Sequence, residues 1–143
     1  MATPVQITFD AHDPMEQATF WSAALGYVVQ PPPEGYQSWE AFAADVGIPL
    51  SEMGGLAAAV DPEGKGPRIL FQRVPEGKTV KNRVHLDVNV TTPDIPAADR
   101  RSLIDTEADR LTALGATRGE DHESHGDTWT VMQDPEGNEF CIQ

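Results

Sequence analysis

The sequence predicts an α+β protein made of two βαβββ modules, and two repeated features lead to this prediction. The tetrapeptide Asp-Pro-Glu-Gly occurs at residues 61–64 and again at 134–137. Pro in its second position and Gly in its fourth favour a type I turn, which would reverse the chain between two strands. A Leu-Gly pair likewise occurs at residues 25–26 and 114–115, each time after an amphipathic run. Matching turns and matching helix ends indicate two matching halves.

The first half begins with a predicted strand at residues 5–11 and continues into a helix. Asp13 is a suitable N-cap, and Pro14 suits the first helical position. Apolar residues then recur at helical spacing as far as Leu25. Further strands are predicted at residues 27–30, 55–60 and 68–74.

An insertion at residues 38–49 interrupts these strands and is a predicted short helix. Ser38 can cap its start, and Gly47 ends it. Four residues share one face of this helix: Trp39, Phe42, Ala43 and Val46. Aromatic stripes at helical spacing usually serve packing, so we expect a helix that completes the core, with a lid over a binding cleft as the alternative.

The second half repeats the order, starting from the stretch KNRVHLDVNV at residues 81–90. As a strand, it places His85, Asp87 and Asn89 on one face and Val84, Leu86, Val88 and Val90 on the other. The next helix is predicted from an apolar stripe before Gly115, a C′ glycine: Leu103, Ile104, Ala108, Leu111 and Leu114. Strands follow at residues 116–120, 128–133 and 139–143.

These elements assign residues 1–75 to module one, 76–82 to a joining segment and 83–143 to module two. We expect a helix on one face of each small sheet. Two such sheets set side by side would enclose a cleft, and the polar row that contains His85 would line it. With 143 residues the chain is long enough for one good core, so we expect the two modules to form one domain.

The charge distribution restricts the classes of partner. The formal net charge is −13, which argues against binding to nucleic acid or to an anionic membrane. Residues 1–64 contain no Lys or Arg, whereas six of the ten basic residues lie between positions 65 and 83: Lys65, Arg68, Arg73, Lys78, Lys81 and Arg83. This basic segment is either a solvated linker that pairs with the acidic first half, or a local anion site.

We expect a cytoplasmic protein that forms a homodimer. No window approaches the roughly 18 consecutive apolar residues of a membrane span, and the start of the chain lacks the regions of a signal peptide. Cys141 is the only cysteine, so no intrachain disulfide can form. Sheet edges and an apolar helix face in such a fold usually need a partner, which favours the homodimer.

Three stretches carry a resemblance to a known superfamily: FWSAALGY at the end of the first helix, NRVHLDV at the start of the second module, and DPEGNEF before the last strand. In this order and spacing they resemble the vicinal oxygen chelate superfamily, and most of all its uncharacterised glyoxalase-like branch. The superfamily includes glyoxalase I, bleomycin resistance proteins, fosfomycin resistance enzymes and extradiol dioxygenases. The resemblance implies a mixed-sheet cleft, while the chemistry stays open because one scaffold hosts many functions.

The resemblance also implies positions for metal ligands. In the superfamily's metal enzymes, the first and the last strand of each module each supply one ligand to a divalent ion. The first-strand ligand lies seven residues before the aspartate that precedes the helix, which gives Gln6 when counted from Asp13. His85 matches the corresponding position of the second module. Both residue types occur in glyoxalase-type sites.

The last-strand positions depart from the superfamily pattern, which has a glutamate there. Counting seven residues from Asp134 reaches Cys141, and the matching position of the first module is Leu70, with Gln72 next on the same face. A hard divalent ion needs anionic ligands to offset its dehydration. We therefore expect no bound metal, although a Cys141 thiolate beside His85 would suit Zn²⁺ or Fe²⁺, and nickel or manganese are further alternatives.

Other residues are weighed as members of the site. Asp87 shares a face with His85, and together they would form a metal-free acid–base pair. Trp129 and Arg83 are candidates for stacking and for anion attraction. His122 and His125 lie in the segment DHESHGD at residues 121–127, which is predicted to be a solvated loop. His12 is expected at the surface.

These observations predict a protein that binds a small organic molecule in the cleft without a metal. The molecule would be anionic if the basic segment faces it. The expected ligand-binding residues are Gln6, Gln72, Arg83, His85, Trp129 and Cys141, and the expected catalytic residues are His85 and Asp87. The alternative is a metal-dependent lyase, isomerase or dioxygenase that uses Gln6 and His85, with Cys141 as a third ligand. A domain that only mediates oligomer contacts would instead have a filled cleft.

Overall fold

The computed structural model describes all residues from 1 to 143. The first unit of the chain, Met1–Gly77, contains one four-stranded mixed sheet. Its strands are β1 (Ile7–Ala11), β2 (Val28–Val29), β3 (Leu56–Val60) and β4 (Ile69–Arg73). Their spatial order is β1-β4-β3-β2. β1 pairs with β4 in parallel, and the other two pairs are antiparallel. The first and last strands of the unit are therefore neighbours.

Helix α1 (Pro14–Leu25) covers one face of this sheet, and its ends form as predicted. The Asp13 carboxylate accepts hydrogen bonds from the backbone N–H groups of Met15 and Glu16, both at 3.1 Å. Gly26 closes the helix with φ at +70°. In the core of the unit, the Trp21 ring, 1% exposed, packs in a T-shaped arrangement with the Phe9 ring at a centroid distance of 5.7 Å.

The insertion forms helix α2 (Trp39–Val46), which confirms the predicted helix and its caps. The Ser38 hydroxyl accepts from the backbone N–H of Ala41 at 3.1 Å, and Gly47 has φ of +77°. The Phe42 ring contacts the edges of the Tyr36 and Trp39 rings. A 3₁₀ helix, Leu50–Glu52, then leads to β3. The aromatic side chains of α2 thus pack within the first unit.

The second unit, Lys78–Gln143, repeats the topology of the first. Its strands are β5 (Asp87–Val88), β6 (Thr117–Ser124), β7 (Asp127–Gln133) and β8 (Glu139–Ile142), in the spatial order β5-β8-β7-β6. Again the first and last strands, β5 and β8, pair in parallel. Each unit therefore has the order βαβββ, the first with α2 inserted, and the predicted α+β class is confirmed.

Helix α3 (Ala97–Ala113) packs on this second sheet through a narrower stripe than predicted. Ile104, Ala108 and Leu111 are fully buried. Leu103 and Leu114, assigned to the same stripe, are each 41% exposed. Both lie roughly 80–100° around the helix from the buried row, so a helix resting on a single sheet leaves them at its border. Gly115 follows with φ of +113°, as expected of a C′ glycine.

The strand predicted at residues 81–90 is much shorter than expected. Only Asp87 and Val88 have strand geometry, and Val84, assigned to the buried face, is 81% exposed. β5 is an edge strand whose only neighbour is β8. Its backbone hydrogen bonds run from the Cys141 N–H to the Leu86 carbonyl and between Gln143 and residues 88–91, and they extend no further. Residues before Leu86 have no neighbouring strand to pair with.

The segment at residues 121–127, predicted as a loop, is the tip of a β-hairpin instead. Strand β6 continues to Ser124, which pairs with Asp127 at the start of β7. Only His125 and Gly126 form the turn, with φ values of +53° and +87°. Positive φ at both central residues is the conformation that matches the twist of a two-residue hairpin. His125 adopts it where asparagine or aspartate is more usual, which is why the pattern was missed.

The two Asp-Pro-Glu-Gly segments are equivalent turns, as the repeat predicts. One connects β3 to β4 and the other connects β7 to β8. In each, the backbone N–H of the glycine donates to the carbonyl of the aspartate, at 3.0 Å for Gly64 and 2.9 Å for Gly137. In neither unit does a helix combine the length and the apolar character needed to cross a bilayer.

The two equivalent turns differ in how deeply their aspartates are buried, which predicts different effects on stability. Asp134 is 2% exposed, and its carboxylate accepts from the backbone N–H groups of Glu136 and Asn138 and from the Asn138 amide. Asp134→Ala leaves these buried donors unpaired, so we expect it to lower the free energy of unfolding by about 2 kcal/mol. Asp61→Ala should cost less, because water can reach the donors of that more exposed turn. Urea denaturation of both variants measures this, and an equal or larger loss for Asp61→Ala would contradict it.

Candidate functional site

The second sheet has one face that α3 does not cover, and the polar side chains of the site lie on it. Val88, Phe140 and Ile142 point to the opposite face and are buried. Because strand residues alternate between faces, their neighbours point away from the core. We call the resulting surface the second open face: His85, Asp87, Asn89, Trp129, Cys141 and Gln143. The polar row that the sequence predicts around His85 therefore lies outside the core.

Three side chains on the second open face form a close cluster. Nδ1 of His85 lies 2.7 Å from Oδ1 of Asp87, and Asp87 is the register partner of Cys141 on the neighbouring strand. One ligand atom from each of the three residues lies within 4.8 Å of the others. The side chains of His85 and Asp87 are 43% and 38% exposed. The imidazole and the carboxylate are thus joined to each other and open to an incoming molecule.

The surroundings of Cys141 keep its thiol protonated. Burial raises the pKa of Cys141, and the negative charge of Asp87 and a hydrogen bond to that carboxylate raise it further. The charge of Lys81 acts in the opposite direction. Only a thiolate is an effective nucleophile or metal ligand. The thiolate chemistry considered for Cys141 is therefore opposed by its own neighbours.

The first sheet has a corresponding uncovered surface, the first open face, which consists of Gln6, Thr8, Asp10, Gln30, Arg68, Leu70 and Gln72. Nη1 of Arg68 donates to Oε1 of Gln6 at 2.6 Å, and its Nε donates to Oε1 of Gln30 at 2.7 Å. The Gln6 amide nitrogen approaches the Thr8 hydroxyl at 3.4 Å. The predicted ligand-binding residue Gln6 is thus engaged by a guanidinium.

The strand registers show which residues of the two open faces are equivalent. Thr8 pairs with Leu70 in the first sheet as Asp87 pairs with Cys141 in the second. Two residues further on, an amide group bridges the same two strands in each unit. The Gln72 amide donates to Asp10 at 2.8 Å, and the Gln143 amide donates to Asn89 at 2.9 Å. Gln6 therefore corresponds to His85, and Leu70 to Cys141, as the resemblance implies.

These four positions do not fit the metal site of the superfamily. Oε1 of Gln6 accepts from a guanidinium, which places a positive charge where the ion would bind. Leu70 offers only hydrocarbon, and the thiol of Cys141 is stabilised in its neutral form. Asp87 supplies a carboxylate from outside the expected set. Without two anionic ligands, little offsets the dehydration of a divalent cation.

A pocket of about 430 Å³ opens at one end of the second open face. Asn89, Trp129 and Gln143 belong to both the face and the pocket, and Thr91 and Arg100 contribute further polar groups. The Trp129 ring stacks on His122, its cross-strand partner, at a centroid distance of 5.5 Å and an angle of 18°. This volume lies within the range of small-molecule sites, roughly 300–1,000 Å³.

The segment that precedes His85 is anchored by Glu139 at the start of β8. Its carboxylate accepts from the backbone N–H of Asn82 at 2.9 Å and lies 3.0 Å from Nζ of Lys78. These two partners, the Asn82 N–H first, lower the pKa of Glu139 to about 2. Lys78 therefore pairs inside its own unit rather than with the acidic first half. Arg83 is exposed and forms no ion pair, so its role in binding stays a prediction.

Two parts of the site were not selected from the sequence. The expected set of ligand-binding residues omits Gln143 and also Asn89, which was placed in the polar row of His85, although their spacing of two residues from Asp87 and Cys141 places both on the same face. Arg68 was counted only within the basic segment, although the alternation of Arg68, Leu70 and Gln72 identifies its face. The partner strands that complete both groups come from distant sequence.

Comparison with known proteins relates this fold to others. A sequence profile described as a glyoxalase-like domain matches residues 6–143. A glyoxalase/bleomycin resistance protein/dioxygenase family enzyme from Burkholderia phytofirmans is 16% identical, with a TM-score of 0.63 and coverage of 99% of this chain and 97% of that one. A possible glyoxalase from Bacillus cereus is 11% identical, with a TM-score of 0.62 and coverage of 100% and 99%.

A third similar structure contains a metal. A mutant of the fosfomycin resistance protein FosX from Listeria monocytogenes, complexed with Mn(II) and 1S,2S-dihydroxypropylphosphonic acid, is 12% identical, with a TM-score of 0.61 and coverage of 100% and 90%. Identities this low show the fold alone. Curated proteins gave no match to the sequence.

The anchoring carboxylate predicts a pH dependence of stability. The folded pKa of Glu139, about 2, lies below its ordinary value of 4.5. Such a group stabilises the fold above the ordinary value, and its contribution is lost as the pH falls from about 4.5 toward about 2. Glu139→Gln should therefore be less stable than the parent at neutral pH, and the difference should shrink through this window. Urea unfolding at several pH values measures it, with Glu120→Gln, at an exposed glutamate, as control. A difference that stays constant down to about pH 2 would contradict the assignment.

Proposed function

The chain belongs to the glyoxalase-like domain family of the vicinal oxygen chelate superfamily, and we propose that it binds a small organic molecule on the second open face without a metal ion. The observation that carries the proposal is the pocket of about 430 Å³ that continues this face. Its wall combines one aromatic ring with amide and hydroxyl groups and the ion pair of Arg100 with Asp127, which is the composition of a site that orients a small polar molecule.

Within this proposal Trp129 provides the apolar contact. Its ring is held against His122 by cross-strand stacking, so little side-chain freedom is lost when a ligand covers the other ring surface. Asn89 and Gln143 are bonded to each other through one amide hydrogen, which leaves further amide donors and acceptors for the ligand. The sheet thus presents a prearranged surface instead of a flexible one.

His85 and Asp87 are the groups that would act on a bound molecule. In the neutral imidazole, Nδ1–H donates to the Asp87 carboxylate, and Nε2 then carries the lone pair. This arrangement orients an acceptor or proton-accepting nitrogen toward the ligand. It supports hydrogen bonding in a binder and proton transfer in an enzyme.

A metal-dependent lyase, isomerase or dioxygenase is the second candidate function. Its support is the cluster of His85, Asp87 and Cys141, whose ligand atoms lie within 4.8 Å of one another, together with the Mn(II) in the FosX complex. Against it are the protonated thiol and the engagement of Gln6 by Arg68. The two candidates differ in a measurable property, the metal content of the protein.

Metal content is the first test of the proposed function. Protein purified without chelators should contain no stoichiometric zinc, iron, nickel or manganese, since none of the superfamily's four ligand positions holds a carboxylate and the thiol of Cys141 is stabilised in its neutral form. Elemental analysis by plasma mass spectrometry measures this for the parent and for His85→Ala. Near-stoichiometric metal in the parent that is absent from His85→Ala would overturn the metal-free proposal in favour of the enzyme.

Ligand binding is the second test. A panel of small polar aromatic and aliphatic compounds is screened by saturation-transfer NMR, and we expect aromatic compounds whose binding is weakened about two- to tenfold by Trp129→Leu, because a contact between aromatic rings contributes about 0.5–1.5 kcal/mol beyond the area it buries. His12→Ala is the matched control, since His12 lines a separate pocket of the first unit.

The result that would contradict the proposal is equally specific. Compounds that bind the parent and Trp129→Leu with the same strength, or that respond only to His12→Ala, would place binding away from the second open face. A panel without any binder would remove the proposed function altogether.

We also propose that the protein forms a homodimer. β2 is an edge strand of the first sheet, and Val28 within it is 44% exposed. Leu56 on the next strand is 63% exposed. Exposed apolar side chains at a sheet edge favour pairing with a second chain. Sedimentation equilibrium tests this; a monomer over the whole concentration range would exclude it.

A further inference from the structure

Arg68 is an exception among the arginines of this acidic chain. The chain carries 23 acidic residues and a net charge of −13, and the partly buried arginines of the second unit all contact a carboxylate. They are Arg100, Arg101 and Arg118. Arg73 and Arg83 form no ion pair but are exposed. Arg68 is the one partly buried arginine without a carboxylate partner, so its charge is uncompensated by the protein.

The guanidinium of Arg68 is nevertheless held in place from two sides. It lies just before β4, which is central in the sheet order β1-β4-β3-β2. Gln6, just before β1, accepts from Nη1 at 2.6 Å, and Gln30, just after β2, accepts from Nε at 2.7 Å. Two neutral amides from different strands thus restrict the side chain and leave its full positive charge in place.

Arg68 and the two glutamines have more N–H donors than these two hydrogen bonds use. A guanidinium has five N–H donors, and the two glutamines accept two of them. The Gln30 amide must point its oxygen at Nε, so its NH₂ group faces away from Arg68 and adds two more donors. A cluster with a net positive charge and several N–H groups left without an acceptor matches the planar, multiply accepting geometry of an oxyanion.

We propose that Arg68, positioned by Gln6 and Gln30, is an oxyanion-binding site on the first open face. Its ligand class is a small organic molecule with a carboxylate, phosphonate or phosphate group. Leu70 lies two residues along the same face and is partly exposed, so an apolar part of the ligand has hydrocarbon to contact. The site goes beyond the proposed function, which concerns the second open face.

The engagement of Gln6 by Arg68 also explains why a metal ion fits poorly at this position. In the superfamily's metal enzymes, the positive charge comes from a divalent ion held near the position of Gln6. Here the Gln6 oxygen binds a cation that the chain itself supplies. A guanidinium needs no carboxylate ligands to hold it, which agrees with Leu70 standing where a glutamate is expected.

The test is an NMR titration of ¹⁵N-labelled full-length protein with benzoate and phenylphosphonate, with benzamide as the uncharged match. The signals of Arg68 Nε–H and of the Gln6 and Gln30 amides should shift and saturate with both anions, and not with benzamide. The two anions distinguish a carboxylate preference from a phosphonate preference. Arg68→Gln should weaken binding at least about tenfold, because charged hydrogen bonds of this kind are lost.

Two further variants separate the site from general charge effects. Arg73→Gln removes an exposed arginine from the far end of β4, the strand that Arg68 precedes, and should leave anion binding unchanged. Arg68→Lys keeps the charge but not the two-pronged donor geometry, so binding should be intermediate. An equal loss in Arg73→Gln and Arg68→Gln would show that only the net charge matters and would overturn the proposal.

Gln30→Glu keeps the test valid even if Arg68→Gln fails to fold. The new carboxylate would pair with the guanidinium and occupy it from within. We expect this variant to fold with at least the parent's thermal stability and to lose most of its affinity for both anions. If instead Gln30→Glu binds the anions as the parent does, or if neither anion causes saturable shifts in the parent, Arg68 has only a structural role.

Discussion

The parallel pairing of the first and last strand in each unit is the constraint on which the candidate sites depend. It brings β1 beside β4 and β5 beside β8, although each pair is separated by most of its unit in sequence. Because side chains alternate along both strands, the pairing places one polar row against another on the face that the helix leaves uncovered. The contacts of Asp87 with Cys141, and of Asp10 with Gln72, follow from this register.

The same framework carries different chemistry in the two units. In the second, the row holds an imidazole, a carboxylate and a thiol, and the carboxylate affects both of the others: it orients the imidazole and disfavours the thiolate. In the first, the row holds two glutamines that share one guanidinium. In our proposals, the second sheet therefore serves hydrogen bonding or proton transfer, and the first serves electrostatic recognition. A repeat with identical topology can diverge in this way because the core residues lie on the opposite face of each sheet.

In the function that we propose, electrostatics separates this chain from the metal enzymes of its superfamily. A metal site concentrates negatively charged side chains around a bound cation. When the ion leaves, these side chains repel one another. Here the cation is covalently part of the chain, and the neutral amides around it need no compensation. Arg68 forms no ion pair with a carboxylate, whereas aspartates pair with the arginines of α3 and β6. Both units are acidic in sequence, so the difference between Arg68 and the other arginines lies in where the acidic side chains are placed.

Local signals in the sequence determined most of the architecture. The caps of α1 and α2 formed at Asp13, Gly26, Ser38 and Gly47, because capping depends on side chains within a few residues. The two Asp-Pro-Glu-Gly turns are equally local, and together with the repeated order of elements they were enough for the fold class. The face shared by His85, Asp87 and Asn89 was also predictable, since alternation needs no knowledge of the partner strand.

Tertiary structure decided where strands end and which side chains meet. β5 is short because the neighbour available to it is the end of β8, and β6 is long because β7 folds back along it through a turn at His125 and Gly126. The engagement of Gln6 and Gln30 by Arg68 joins residues up to 62 positions apart, and the burial of Cys141 beside Asp87 depends on the register of two distant strands. Periodicity and capping act over a few residues and can be read from the sequence alone, whereas strand ends, pairing and desolvation depend on which distant segment lies alongside, and only the folded chain specifies that.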